Sequence, residues 1–213
     1  MDIFLIADNE IKEKLFSKLN VDFEVLREAE SYYMREEQTP FNIVKTTCAN
    51  SISRALEIVK DNDEFVLITT DVVASIDDKL YKTITSMGEA YYLLENCMNK
   101  PCFYYTGTAI YIKKDDKTQV KFLYDRTRVF LNNYDIHKLL GYLWSGDYMG
   151  WVAGINLEDD IEDIVYTVDG DVNSAMGMPI DKIKQILIEC GVKFAAETDK
   201  EDIEEEIDDE DCY

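Results

Sequence analysis

Residues 65–82, FVLITTDVVASIDDKLYK, decide how the fold is read. Phe65 to Ile68 is an apolar run of strand length. Thr69, Thr70 and Asp71 follow, so the pattern predicts a buried strand that delivers a carboxylate at its tip, where α/β proteins place chemistry. Beyond Val72 and Val73, Asp77-Asp78 reads as an acidic turn, and Lys79 and Lys82 put cations near that carboxylate.

Outward from this stretch, strands and helices alternate. Residues 2–7 (DIFLIA) predict a short buried strand. Asp8 or Asn9 is placed to cap a helix in which Ile11, Leu15, Phe16 and Leu19 recur at helical spacing. Residues 21–26 alternate apolar and acidic and predict a second strand, and the polar stretch Arg27 to Pro40 predicts a mobile loop. A helix over 41–60, with Ala49, Ile52, Ala55, Leu56 and Val59 on one face, leads into the opening strand. After Lys82 come a helix near 86–96 and a hairpin of two alternating segments about Asp115-Asp116-Lys117. The remainder reads as a helix capped by Asp135, a glycine-rich loop at 145–154, a late strand near 161–171 and a last helix begun by Pro179. The sum is an α/β domain over 1–196 and an acidic, compositionally disordered tail over 197–213.

The chain has 213 residues, 46% hydrophobic and 12% aromatic, enough for a real core. Its net charge is −22, and residues 197–211 hold eleven acids against Lys200, which leaves about −12 for the body. So acidic a body has no field for a phosphodiester backbone, and nucleic acid polymers are not expected as partners. A small phosphate ligand is compatible with it, because local cations or a metal dominate within roughly one Debye length, about 10 Å. The tail could contact a basic partner. Five cysteines without a CxxC pair, no run of membrane-spanning length and an acidic first segment predict a reducing, cytoplasmic setting.

The motifs around Asp71 resemble the Maf family of nucleoside-triphosphate pyrophosphatases. The resemblance covers residues 2 to about 194. Asp71 matches the aspartate of the family's ADTVV motif. Lys82 is similar to the lysine of its GKP motif, one residue closer to the aspartate. Arg54 in SRAL stands where a KA lysine is usual, and Glu36 or Glu37 before Thr39-Pro40 resembles the glutamate of DETP. Gly170-Asp171 followed by Gly177-Met178-Pro179 matches the family's GD…GLP, a scaffold signal in which glycine allows a tight turn and proline starts a helix.

The resemblance implies a mixed twisted sheet flanked by helices, two lobes with a central cleft, akin to the inosine-triphosphate pyrophosphatases. It further implies hydrolysis of a nucleoside triphosphate to monophosphate and pyrophosphate with Mg or Mn, and a homodimer. Asp71 would hold the metal or orient water with Glu36 or Glu37 assisting. Lys82, Arg54 and Lys12 would neutralise phosphate, with Asn9, Trp151 and Asn156 also in the substrate site. There are departures. The family's SxSPRR becomes Ala7-Asp8-Asn9-Glu10-Ile11-Lys12, so both serines and the first arginine are gone. Trp151 takes the place of the lysine in GEPxDKAG, and Asn156 stands near the usual glutamine. A catalytically silent nucleotide-binding or protein-interaction module is the alternative expectation. The ordinary roles of these residue types are caps for Asp71, solvated cations for Lys82 and Arg54, and core packing for Trp151.

Overall fold

The computed structural model describes residues 1–28, 38–98, 100–131, 135–158 and 165–194. Glu36, Glu37 and the acidic tail lie outside the described residues.

In chain order the elements are β1 (Asp2–Ala7), α1 (Glu10–Ser17), β2 (Glu24–Arg27), α2 (Pro40–Val59), β3 (Phe65–Ile76), β4 (Lys79–Tyr81) and α3 (Met87–Cys97). Then come β5 (Pro101–Lys114), β6 (Lys117–Leu131), α4 (Ile136–Ser145), β7 (Val165–Asp169), α5 (Val172–Ala175) and α6 (Ile180–Glu189). Among the described residues they build one seven-stranded mixed sheet of order β2-β1-β3-β5-β6-β7, with β4 on β3. β2, β1 and β3 are parallel, and the long pairs β3–β5 and β5–β6 are antiparallel. Two hairpins turn on two-residue acidic loops, Asp77-Asp78 and Asp115-Asp116, all four residues at positive φ. This is the type I′ geometry whose twist matches the strands, and Asp tolerates it through its short polar side chain.

Alternation along β3 divides the core. Phe65 and Leu67 face α2 with Phe4, Ile6, Cys48, Ile52 and Ala55, while Val66 and Ile68 face α1 and α6. On that second side the core has two parts along the strand. Val72, Ala74 and Ile76 belong with α3, α4 and the 148–155 loop, apart from the α1–α6 cluster.

Three expectations are corrected. Asp71 does not sit at a strand tip: β5 supplies a partner for every residue from Phe65 to Ser75, so β3 continues to Ile76 and Asp71 lies inside it. The second strand is Glu24–Arg27 rather than 21–26, because pairing to β1 starts at Phe4↔Glu24. Phe23 packs edge-on to Phe16, with ring centroids 4.8 Å apart, instead of joining the strand. On α2, Ala49 is exposed, and Ile43, Val44, Cys48, Ser51, Ile52, Ala55 and Val59 form the buried face.

Candidate functional site

The sheet itself makes the site. β1 pairs with β3 through Ile6↔Thr69, and on the same edge β4 pairs only from Tyr81↔Ala74. Thr70 to Val73 therefore have no strand on that side among the described residues, and the chain ends leaving β1 and β4 bring Asp8, Lys12 and Lys82 to the gap. On its other side Asp71 pairs with Gly107, where the sheet lies so close to α2 that an added Cβ would meet Val44 Cγ2 at 2.7 Å.

Asp71 is 3% exposed and Lys82 7%. Lys82 Nζ donates to Asp71 Oδ1, while Asp71 Oδ2 is buried without a hydrogen-bond partner. Burial pushes the Lys82 ammonium below its ordinary pKa, and Asp71 offsets this only in part. Lys12 enters from α1. Its Nζ donates to the Thr70 carbonyl at 2.8 Å and lies 2.9 Å from Asp8 Oδ1. Burial alone would lower Lys12, but Asp8 and then Asp71 outweigh it, and its pKa is raised.

Backbone contacts hold this cluster in place. Asn9 caps α1 by accepting from the Lys12 backbone N–H at 3.0 Å, which fixes where the Lys12 side chain starts. The Ala153 N–H donates to the Lys82 carbonyl at 3.1 Å, and Ile84 and the 150–151 backbone exchange two further bonds. The glycine-rich loop thus clamps the segment that carries Lys82. That loop is anchored by Tyr142, whose hydroxyl donates to the Gly154 carbonyl at 2.9 Å and accepts from the Asn156 N–H at 3.0 Å.

Of the residues singled out from sequence, Asp71, Lys82 and Lys12 converge. Asp8, Asn9, Lys12, Asp71 and Trp151 line one narrow cleft in which about 20 Å³ is open to a water-sized body. Trp151 is buried with the α1–α6 core, so its first role is packing. Asn156 is buried, and its Oδ1 accepts from the Glu158 N–H at 2.9 Å. Arg54 goes elsewhere. It pairs with Glu28 in an open cleft of about 400 Å³ lined by Ile6, Leu26, Ser51 and Ile58. Arg54 lies about 9 Å further along α2 than Cys48, whose thiol senses the Asp71 charge, at about 1.5 Å per helical residue. Sequence reasoning offers Asp8 only as a helix cap. Its pairing with Lys12 is a local i,i+4 contact, but that the pair lies beside Asp71 in one cleft follows from where β1 ends along β3.

A family model described as Maf-like protein matches residues 8–190. This chain belongs to the Maf family. Among curated Maf relatives, a dTTP/UTP pyrophosphatase of Thermoanaerobacter sp. (strain X514) is 26% identical over 188 residues, covering 88% of this chain and 95% of the relative. One of Clostridium acetobutylicum is 25% identical over 191 residues, covering 90% and 89%. One of Aquifex aeolicus is 22% identical over 192 residues, covering 90% and 97%. The seven-stranded mixed sheet flanked by helices is consistent with the Maf fold. Among the described residues no helix is long and apolar enough to cross a membrane, and no group of three or more His, Cys, Asp or Glu side chains could hold a metal.

Proposed function

We propose that this chain hydrolyses a nucleoside triphosphate, of the dTTP or UTP kind on which its relatives are named to act, to the monophosphate and pyrophosphate. One observation carries the reading. A carboxylate buried inside a strand keeps one oxygen on a lysine and the other without a partner, beside a second buried lysine. Burying two ammonium groups is costly unless they serve as counter-charges, and a polyphosphate is the ligand that uses both.

The residues present fit a divalent metal, Mg or Mn. Asp71 Oδ2 is an unused buried carboxylate oxygen, and Mg ordinarily takes one or two protein carboxylates and leaves its other positions to phosphate and water. When bound, the metal would lower the pKa of water and neutralise phosphate charge. Asp71 orients the attacking water toward the α-phosphorus. One water oxygen–phosphorus bond forms as the α–β phosphoanhydride bond breaks, and the released proton passes to Asp71. Lys82 and Lys12 turn from their carboxylate and carbonyl partners to the phosphate oxygens and hold the leaving pyrophosphate. Arg54 and Ser51, on the same helix as Cys48, line the larger cleft and receive the uncharged end of the substrate. Glu36 or Glu37 assists from the preceding segment. A cytoplasmic homodimer, with the acidic tail free to meet a basic partner, completes the reading.

Pyrophosphate release from a panel that includes dTTP and UTP, with Mg²⁺ or Mn²⁺, tests it against an Asp71→Asn control. Metal-dependent turnover lost in the control is expected. No turnover above the control on any nucleotide overturns the enzyme reading. Calorimetry on the same panel would then identify a silent module that binds nucleotide or none.

A further inference from the structure

We propose that Asp8 is a second carboxylate for a divalent cation, held together with Asp71 in the narrow cleft at the gap in the β3 edge. This deepens the pyrophosphatase reading and rests on it for its purpose, although the binding itself is measurable without substrate.

Four observations converge on Asp8. Its Oδ1 is buried and faces the Lys12 ammonium at 2.9 Å, and Oδ2 of Asp71, whose side chain is only 4% exposed, is buried without a hydrogen bond. Both acids line the same cleft, and they are the two acids among its described lining residues. The room inside, about 20 Å³, matches one water or one ion rather than an organic group. The two carboxylates offer oxygen donors only, which suits a hard cation such as Mg²⁺ or Mn²⁺.

The charge balance explains why an acid would stand there. Asp8 falls between the two lost serines of the segment resembling SxSPRR, and Ile11 replaces an arginine. A divalent ion on one added carboxylate leaves one net positive charge, which is the charge of that arginine. Lys12, 2.9 Å from Asp8 Oδ1, is the counter-cation that the ion must displace. Its release from Asp8 would free the ammonium for phosphate at the moment the metal arrives. The site thus exchanges one cation for another and keeps Asp8 paired throughout.

The test is titration of the full-length protein with Mn²⁺ alone, followed by the paramagnetic resonance of free Mn²⁺. The acidic tail adds the same weak background to every variant. In the wild type a site above that background is expected. Asp8→Asn should weaken it at least by the roughly ten- to hundredfold that loss of an outer partner of a metal ligand costs. Asp8→Glu should retain most of it, and Lys12→Met should bind Mn²⁺ more tightly because the competing ammonium is gone. Unchanged Mn²⁺ affinity in Asp8→Asn, or a wild type no better than an Asp8→Asn/Asp71→Asn double variant, overturns the proposal. Metal-free melting curves report whether each variant folds. If Asp8→Asn does not fold, Lys12→Met decides, and affinity no tighter than wild type counts against the site. If Asp71→Asn abolishes pyrophosphate release while Asp8→Asn keeps wild-type Mn²⁺ affinity and turnover, the cation site fails and the activity stands. Mn²⁺ binding through Asp8 without any pyrophosphate release means the reverse: the cation site stands and the activity fails.

Discussion

Lys82 Nζ donates to Asp71 Oδ1 across eleven residues of chain, with both side chains more than nine-tenths buried. The hairpin at Asp77-Asp78 returns the chain only as far as Tyr81↔Ala74, and Lys82 is the first residue past that pairing. The contact therefore depends on hairpin register, and a one-residue slip would turn the lysine to the opposite face.

Removing one partner leaves the other charge buried. Asp71→Leu is expected to destabilise the fold by about 3 kcal/mol or more, and Lys82→Met by somewhat less, because its loss leaves a carboxylate that Lys12 still faces. The double variant Asp71→Leu/Lys82→Met should recover most of the loss, since an apolar pair of similar volume avoids desolvating two charges. Urea unfolding of the three variants and wild type measures the coupling. Additive losses would mean that the pair does not act as a unit.

Gly107 lies directly opposite Asp71, and a Cβ there would press on Val44 Cγ2 and Cβ. Gly107→Ala should cost about 1–3 kcal/mol by overpacking. Adding Val44→Ala should return much of it. If the single variant melts like wild type, the sheet and α2 are not in tight contact at this point.

Tyr142 ties α4 to the loop that clamps Lys82. Tyr142→Phe leaves the Asn156 N–H and the Gly154 carbonyl without that hydroxyl, and should cost about 1–3 kcal/mol. Amide exchange should quicken first at Ala153 to Asn156, ahead of the β3–β5 core. Uniform protection across both regions would show that the hydroxyl is dispensable.

The thiol of Cys48 is buried beneath Thr69 and Gly107, and burial followed by the nearby Asp71 charge pushes its pKa up to about 12 from an ordinary 9.0. The unfolded chain therefore loses this proton first as pH rises. Stability from this group is full below about pH 9 and is lost progressively toward pH 12. Cys48→Ala should flatten the alkaline limb of the stability curve in that window. In the native protein at neutral pH, Cys48, Cys97 and Cys102 should resist thiol reagents that reach the half-buried Cys190.

The elements were legible because their signals are local. The apolar run at Phe65, the acidic two-residue turns, the Asn9 and Asp135 caps and the start of α6 after Pro179 each depend on a few neighbouring residues. The site was legible only in part. Sequence placed Asp71, Lys82 and Lys12 in one phosphate-handling group, and the structure brings those three together. It could not tell that Asp71 lies within a strand, because the length of β3 is set by its partner β5, which begins only at Pro101.

By itself, then, the sequence determined the α/β order, the hairpin at Asp115-Asp116, the acidic turn at Asp77-Asp78 and the acidic residue at the centre of the family's motif. Only the tertiary structure decided that β1 stops short of β4 along the β3 edge. That gap gathers Asp8, Lys12 and Lys82 around Asp71 and leaves Arg54 with Glu28 in a separate cleft. The physical reason is that periodicity and turn chemistry act over a few residues. Which charges share a buried space depends on where three strands from distant parts of the chain begin and end beside one another.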